Sequence, residues 1–296
     1  MDCTAYVDKY TNFMTDVRHK SENTVESYRR DVIQNITYLI DKGVEDLSSV
    51  NRAMVLAYLL SLQQKGKATS TISRTLASLR SFYCFMIQSG NVKNDPTMDL
   101  EAPHVEKKPP QILTGEEVEL LLNQPDLSDN KGIRDKAMLE LLYATGIRVS
   151  EMINLNISDI NLSVSCVKCS GSKKIRIIPI GHKANKALRN YIYDVRGKMI
   201  KDKNEKALFV NCSGVRLSRQ GFWKIVKTYQ HTAGIKADIT PHTLRHSFAA
   251  HLIENGADLN SIKEMMGHAN IASTQVYSHL INSKIKDVYE KAHPRA

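Results

Sequence analysis

The chain has 296 residues, enough for two domains at ~150 residues each, and 42% hydrophobic with 24% charged residues is the balance of an ordinary globular protein. No apolar run reaches the ~18 residues of a membrane span, and the polar start MDCTAYVDKYTN has no secretory core, so a cytoplasmic location is expected. Five scattered cysteines fit a reducing compartment better than a disulfide framework.

The formal charge of +10 is unevenly spread. Residues 1–102 carry 12 basic and 12 acidic side chains, while the rest carry 29 and 19, so the whole excess lies there. A basic domain suggests a polyanionic partner, most simply nucleic acid, although a solvated surface would carry the same charge.

In chain order, residues 1–100 are expected to be all-helical. After Asn23, the apolar residues Val25, Tyr28, Val32, Ile33, Ile36, Leu39 and Ile40 recur at helical spacing, and Asn23 with Glu26 is placed as a capping box. Helices are expected over 52–64 and 69–89. In the latter, Ile72, Leu76, Leu79, Phe82 and Met86 share a face, and Gly90 ends it. The stretch 102–110 holds three prolines and two adjacent lysines, the composition of an extended linker. The chain therefore divides into a helical domain over 1–101, a linker over 102–112 and a second domain over 113–296.

Thr114 and Glu117 form another capping box, opening a helix over Val118, Leu121 and Leu122. A longer apolar helix over 134–144 stops at Thr145-Gly146, and the next begins near Ser150. Alternation appears only at 164–168 and 176–180, on either side of SGSKK, which predicts a hairpin. Helices resume over 183–196, 218–233, 243–255 and 259–266, with a last segment around 273–279. The expected fold class is mainly α: an N-terminal helical bundle, then a mostly helical domain carrying a small antiparallel β-sheet.

Four strings concentrate polar residues in the second domain: TGIRVSE ending at Glu151, HTLRH beginning at His242, MGH ending at His268, and QVYSH around Tyr277. His242 and Arg245 lie three apart on one helix face, after a proline suited to the first helical turn. Amides at that helix end favour an anion, and an imidazole with a guanidinium fork suits a phosphate diester. The same pair would also serve as a capping histidine and a surface arginine. His242, His246 and His251 invite a zinc reading, but Thr243 stands where a zinc-protease helix carries its glutamate. Cys166 and Cys169 form C-x-x-C with no second pair, so no metal is expected there either. Arg148 follows Gly146 at a helix junction, where Glu151 can orient it, and His268 follows Gly267 between two helices. Tyr277 is spaced like a core residue from Ile271 and Val276. With an ordinary pKa of ~10 it is a poor nucleophile unless cations or a base stand beside it. Two arginines and two histidines supply that setting if the fold brings them together.

In this order and spacing the four strings resemble the tyrosine recombinase (phage integrase) family, whose pattern is A-T-G-x-R-x-S-E, H-x-x-R, G-H and a tyrosine nine residues on. SENTVESYRRDV is similar to the family's N-terminal core-binding, SAM-like domain, and ILTGEEVELLL to the entry of its catalytic domain. Length and the ending AHPRA are most similar to the XerC/XerD branch, nearer its XerD type. The resemblance implies that Tyr277 attacks a scissile phosphate to give a 3′-phosphotyrosyl link. It implies that Arg148 and Arg245 clamp the non-bridging oxygens, and that His242 and His268 hydrogen-bond the phosphate and assist proton transfer. It implies no cofactor and no metal.

The family's catalytic lysine, a general acid for the leaving 5′-oxygen, sits in the hairpin. A gap-free match here puts Gly171 at that place, with Lys173 two residues along. Lys173 is the expected acid over Lys174, the other outcome being that both contact backbone phosphates only. Implied partners are double-stranded DNA with inverted half-sites and a homo- or hetero-tetramer with a related recombinase. A DNA translocase or accessory protein is a further implied partner, and the resemblance implies that the tail over 281–296 docks on a neighbouring protomer, although a short amphipathic tail would equally fold back on its own domain. Two rivals remain at this level: a topoisomerase-like relaxase of the same chemistry, and a degenerate recombinase that only occupies DNA.

Overall fold

The computed structural model describes residues 3–104, 111–170, 175–257, 262 and 265–267. It divides into two units, Met1–Lys108 and Pro109–Ala296, so the division falls inside the proline-bearing stretch.

Among the described residues the first unit carries α1 (Cys3–Asn12), continued by a π-turn over Phe13–Val17, then α2 (Glu22–Asp41), α3 (Arg52–Gln64) and α4 (Thr69–Gln88). Val32, Ile36 and Leu39 of α2 meet Ile72, Leu76, Leu79 and Phe82 of α4 in one core, closed by Tyr10, Met14 and Tyr58. Each such fully buried side chain contributes roughly 1.5–3 kcal/mol. Asp31 is buried in that core and is paired with Arg74, while Ser78 donates to it at 3.1 Å, so the charge is not left alone. The capping box expected at Asn23 and Glu26 is not there. Ser21 is the N-cap and Asn23 lies within α2, because the first turn closes on the Ser21 carbonyl from Thr24 and Val25.

The second unit opens with α5 (Gly115–Leu122), where Glu117 N–H donates to Thr114 Oγ1 at 3.1 Å and Thr114 N–H donates to the Glu117 carboxylate at 2.9 Å. Next come α6 (Asn130–Thr145) and α7 (Val149–Asn154), then β1 (Ile160–Asn161), β2 (Cys166–Ser170) and β3 (Ile175–Pro179). The sheet is antiparallel in the order β1-β2-β3, with Val167 opposite Ile178 and Cys169 opposite Arg176. Then follow α8 (His182–Arg189), a π-turn over Asn190–Val195, α9 (Arg196–Met199), α10 (Arg219–Thr232) and α11 (Pro241–Glu254).

Helix α6 is the centre of this unit, with Ala137, Met138, Leu139, Leu141 and Leu142 all buried. It begins four residues before the expected start because Gly132 is not a breaker here. A Cβ on Gly132 would lie 1.8 Å from the Asp126 carbonyl oxygen, so glycine is needed for packing inside the helix. The helix expected over 183–196 is three segments, the π-turn shifting the register between α8 and α9. Strand β1 was not expected; two residues are too few to show alternation. Cys166 and Cys169 are three apart on one strand, so their thiols face opposite sides, Cys169 inward with burial pushing it up to about 12. No described helix is long and apolar enough to cross a membrane.

Candidate active site

Three segments converge on one place in the second unit. Helix α6 ends at Gly146, whose left-handed backbone (φ 59°) turns the chain sharply so that Arg148 stands at the N-cap of α7. A Cβ on Gly146 would lie 2.2 Å from the Phe248 ring, so α11 packs directly on that bare backbone. Helix α11 itself starts at Thr240, with Pro241 in its first turn and Thr240 N–H donating to Thr243 Oγ1 at 2.8 Å. One turn in stands Arg245, buried. The third segment is the turn at Met266-Gly267, held from beneath by Ile262 and Met266 in a small cluster with Phe248 and Ile253.

Both arginines reach that turn. Arg245 donates from Nη1 to the Gly146 carbonyl and from Nη2 to the Met266 carbonyl at 2.5 Å. Arg148 donates from Nη2 to the Gly267 carbonyl at 3.3 Å. A buried guanidinium must be paired on its fixed fork, and these carbonyls do so without neutralising its charge. The two side chains differ in access: Arg148 is 42% exposed and can still meet a ligand, whereas Arg245 is largely enclosed.

Glu151 sets Arg148. Its Oε2 accepts the Arg148 backbone N–H at 2.8 Å, and its Oε1 accepts Arg148 Nη1 at 3.2 Å and Arg176 Nη2 at 3.0 Å. Burial opposes ionisation of this carboxyl, but the backbone N–H of Arg148 and the two guanidiniums outweigh it and hold the pKa below the usual range.

His242 lies on the exposed end of α11, its ring 6.1 Å from that of His246. Desolvation of the ring, and the positive field of Arg245, Arg219 and Arg148, lower its pKa, so it is neutral near pH 7. His246 is pushed down to about 4, by burial first and then by His242 and Arg245. His251, the third nitrogen of the zinc reading, is engaged elsewhere: its Nδ1 is 2.8 Å from the Tyr143 hydroxyl.

The structure thus brings Arg148, His242 and Arg245 together, with Glu151 behind Arg148. Lys173, its alternative Lys174, His268 and Tyr277 lie outside the described residues, as do the segment around 273–279, the tail and most of the helix expected over 259–266. Arg176, which pairs with Glu151 beside Arg148, belongs to none of the four polar strings. Its signal was an arginine on the inward side of a strand: Ile175 and Ile177 point out, 63% and 73% exposed, while Arg176 and Ile178 point in.

Against known proteins, the sequence pattern of the phage integrase family matches residues 111–284, and that of the phage integrase N-terminal SAM-like domain matches residues 7–90. The tyrosine recombinase XerD of Oceanobacillus iheyensis is 46% identical over 293 residues, covering 98% of both chains. XerD of Listeria monocytogenes serotype 4b is 40% identical over 98% of this chain and 99% of that one. Among solved structures, XerA recombinase is 28% identical with a TM-score of 0.56, covering 99% of each chain. XerH recombinase in a post-cleavage complex with a palindromic difH substrate is 20% identical with a TM-score of 0.73, covering 95% of this chain and 83% of that one.

Proposed function

The chain belongs to the phage integrase family and is a tyrosine recombinase of the XerD type, an enzyme that breaks and rejoins DNA, and from that premise we propose how its residues divide the work. The observation that carries the proposal is the convergence of Arg148 and Arg245 on the Met266-Gly267 turn, one residue before His268, with His242 on the same helix as Arg245. A phosphate diester entering there meets the exposed fork of Arg148, able to give charge-assisted hydrogen bonds of roughly 1.5–3 kcal/mol, with the enclosed charge of Arg245 beside it.

Tyr277 is the nucleophile. Its phenolic oxygen bonds to phosphorus, the P–O5′ bond breaks, and a 3′-phosphotyrosyl ester with a free 5′-hydroxyl results. The phenolic proton passes to a histidine, for which neutral His242 is suited, and the leaving 5′-oxygen takes a proton from Lys173. Arg148 and Arg245 hold the non-bridging oxygens as charge builds, and His268 adds a hydrogen bond. Attack by the 5′-hydroxyl of a second strand reverses the step and rejoins DNA, so the ester conserves the bond energy. Two rounds through a Holliday junction complete an exchange.

The partner is double-stranded DNA with inverted half-sites, bound by a core-binding domain before the linker and a catalytic domain after it. Four protomers act together, homo- or hetero-, the tail beyond Tyr277 serving protomer contact and a DNA translocase or other accessory protein acting on the assembly. Chromosome dimer resolution in the cytoplasm suits the XerD relatives, with integration or excision of a mobile element as the other role.

The test begins with selection of a binding site from random-sequence DNA by the full chain. Strand cleavage and exchange on plasmids bearing that site, and none on plasmids lacking it, is the expected result. Relaxation of plasmids without any site would support a topoisomerase-like relaxase instead. Binding with no cleavage would leave a protein that only occupies DNA, a reading favoured by the altered hairpin. If the Lys173→Ala and Lys174→Ala variants and the double variant all cleave normally, neither lysine is the acid.

A further inference from the structure

Arg176 has no part in the division of labour above, yet its surroundings are unusual. It lies on β3 with its side chain 13% exposed, and its Nε is buried with no hydrogen-bond partner. Its ion pair is with Glu151, through the oxygen that also accepts Arg148. Its guanidinium also fills the space over Gly267: a Cβ there would lie 2.1 Å from Arg176 Nη1, and the backbone (φ 63°) is left-handed. Enclosing a guanidinium with one donor unmet costs stability, and an apolar side chain of similar size would avoid that cost. The charge therefore has a use at this place.

Resting on the reading that Arg148 holds the scissile phosphate, we propose that Arg176 is a positioning residue for it, acting through the shared carboxylate of Glu151 and through the turn at Gly267. Alone, Glu151 and Arg148 would form a one-to-one pair, and the carboxylate would cancel the charge that has to attract phosphate. With Arg176 on the same oxygen, two cations share one anion, and Arg148 keeps a net pull on a ligand at its exposed side. The second contact works on geometry. Arg176 packs on Gly267, whose carbonyl accepts from Arg148, so one side chain of the hairpin fixes both ends of that hydrogen bond. Arg176 stands on β3 three residues after Lys173 in the chain, so the strand that follows the proposed acid is the one that contacts the phosphate clamp.

The experiment uses the full chain and a nicked duplex of the selected site, with single-turnover cleavage measured at saturating DNA beside DNA affinity and melting temperature. Arg176→Gln should slow cleavage about 10–100-fold, the range for losing a group that orients a reacting one, with affinity within about 3-fold. Arg176→Lys, which keeps the charge, should recover part of the rate. The double variant Arg176→Gln with Glu151→Gln should be no slower than the slower single variant, because both act through one carboxylate.

Wild-type cleavage by Arg176→Gln would overturn the inference. So would multiplying defects in the double variant, or a rate that follows melting temperature and not residue charge. Should Arg176→Gln fail to fold, Arg176→Lys and Glu151→Gln decide by the same rates. Arg148→Ala is the reference: if it cleaves normally, the phosphate-clamp reading fails; if it is inactive while Arg176→Gln is normal, only the inference fails.

Discussion

Gly146 shows how a single missing side chain makes the site possible. Its left-handed backbone would cost an alanine about 1–2 kcal/mol, and its Cβ would overlap the Phe248 ring, an overpacking worth roughly 1–3 kcal/mol more. Gly146→Ala should therefore lower the melting temperature of the second unit by about 5–15 °C, read by calorimetry. An unchanged transition would mean that α11 does not rest on this turn. At His242 the prediction concerns pH. Its pKa is lowered by desolvation and by three arginines, so a base at this position stays deprotonated below the ordinary value of 6.5. The acid-side inflection of single-turnover cleavage should lie below 6.5, whereas an inflection at or above 6.5 would remove His242 as the base. His246 bears on stability with a definite sign. Its folded pKa of about 4 lies below the ordinary value, so between pH 6.5 and 4 the unfolded chain takes up a proton that the folded one refuses. Stability should decline across that window as pH falls, and a His246→Gln variant should show a shallower decline in denaturant titrations.

Among the elements, α11 carries the most. It presents His242 and Arg245 on one side and anchors the start of the second unit on the other, where the Leu113 N–H donates to Ser247 Oγ at 2.9 Å in a buried setting. Ser247→Ala leaves that N–H without a partner and should cost about 1–3 kcal/mol, with faster hydrogen exchange at the Leu113 amide as the local signature. Exchange unchanged at Leu113 would show that the bond does not pin this segment. Much at this scale was legible in sequence, for reasons that can be stated residue by residue. Thr114 and Glu117 were readable because both halves of the cap are local, and Gly146 because a glycine closing an apolar helix leaves few alternatives. The cap at Asn23 misled because Ser21, two residues earlier, closes the turn with its own carbonyl. The break between α8 and α9 hid because a π-turn inserts a residue while apolar spacing continues around it. The polar strings around Arg148, His242 and Arg245 were visible as strings. Their ties were not: the carbonyls of Met266 and Gly267 lie 21 and 119 residues from the arginines they satisfy, and backbone acceptors leave no mark on side-chain pattern. Arg176 was overlooked for a related reason, since the two exposed isoleucines beside it invite the opposite assignment of faces.

For the whole molecule, the two units carry separate cores, and the charge excess belongs to the later part of the chain. That distribution matches the division of chemistry proposed here, in which the basic part holds the cleaved phosphate. The guanidiniums of this clamp donate to backbone carbonyls, acceptors that hold them in place and leave their positive charge for a diester. The Glu151 carboxylate that pairs with Arg148 is shared by a second arginine, Arg176. The proposed chemistry stands on attack by Tyr277 on DNA at this clamp. The most direct measurement is to trap the full chain on a nicked duplex of its selected site, digest the adduct, and identify the nucleotide-bearing peptide by mass spectrometry. A 3′-nucleotide on Tyr277 is expected, with no adduct from Tyr277→Phe at unchanged DNA affinity. An adduct on another residue, or one still formed by the Tyr277→Phe variant, would contradict it.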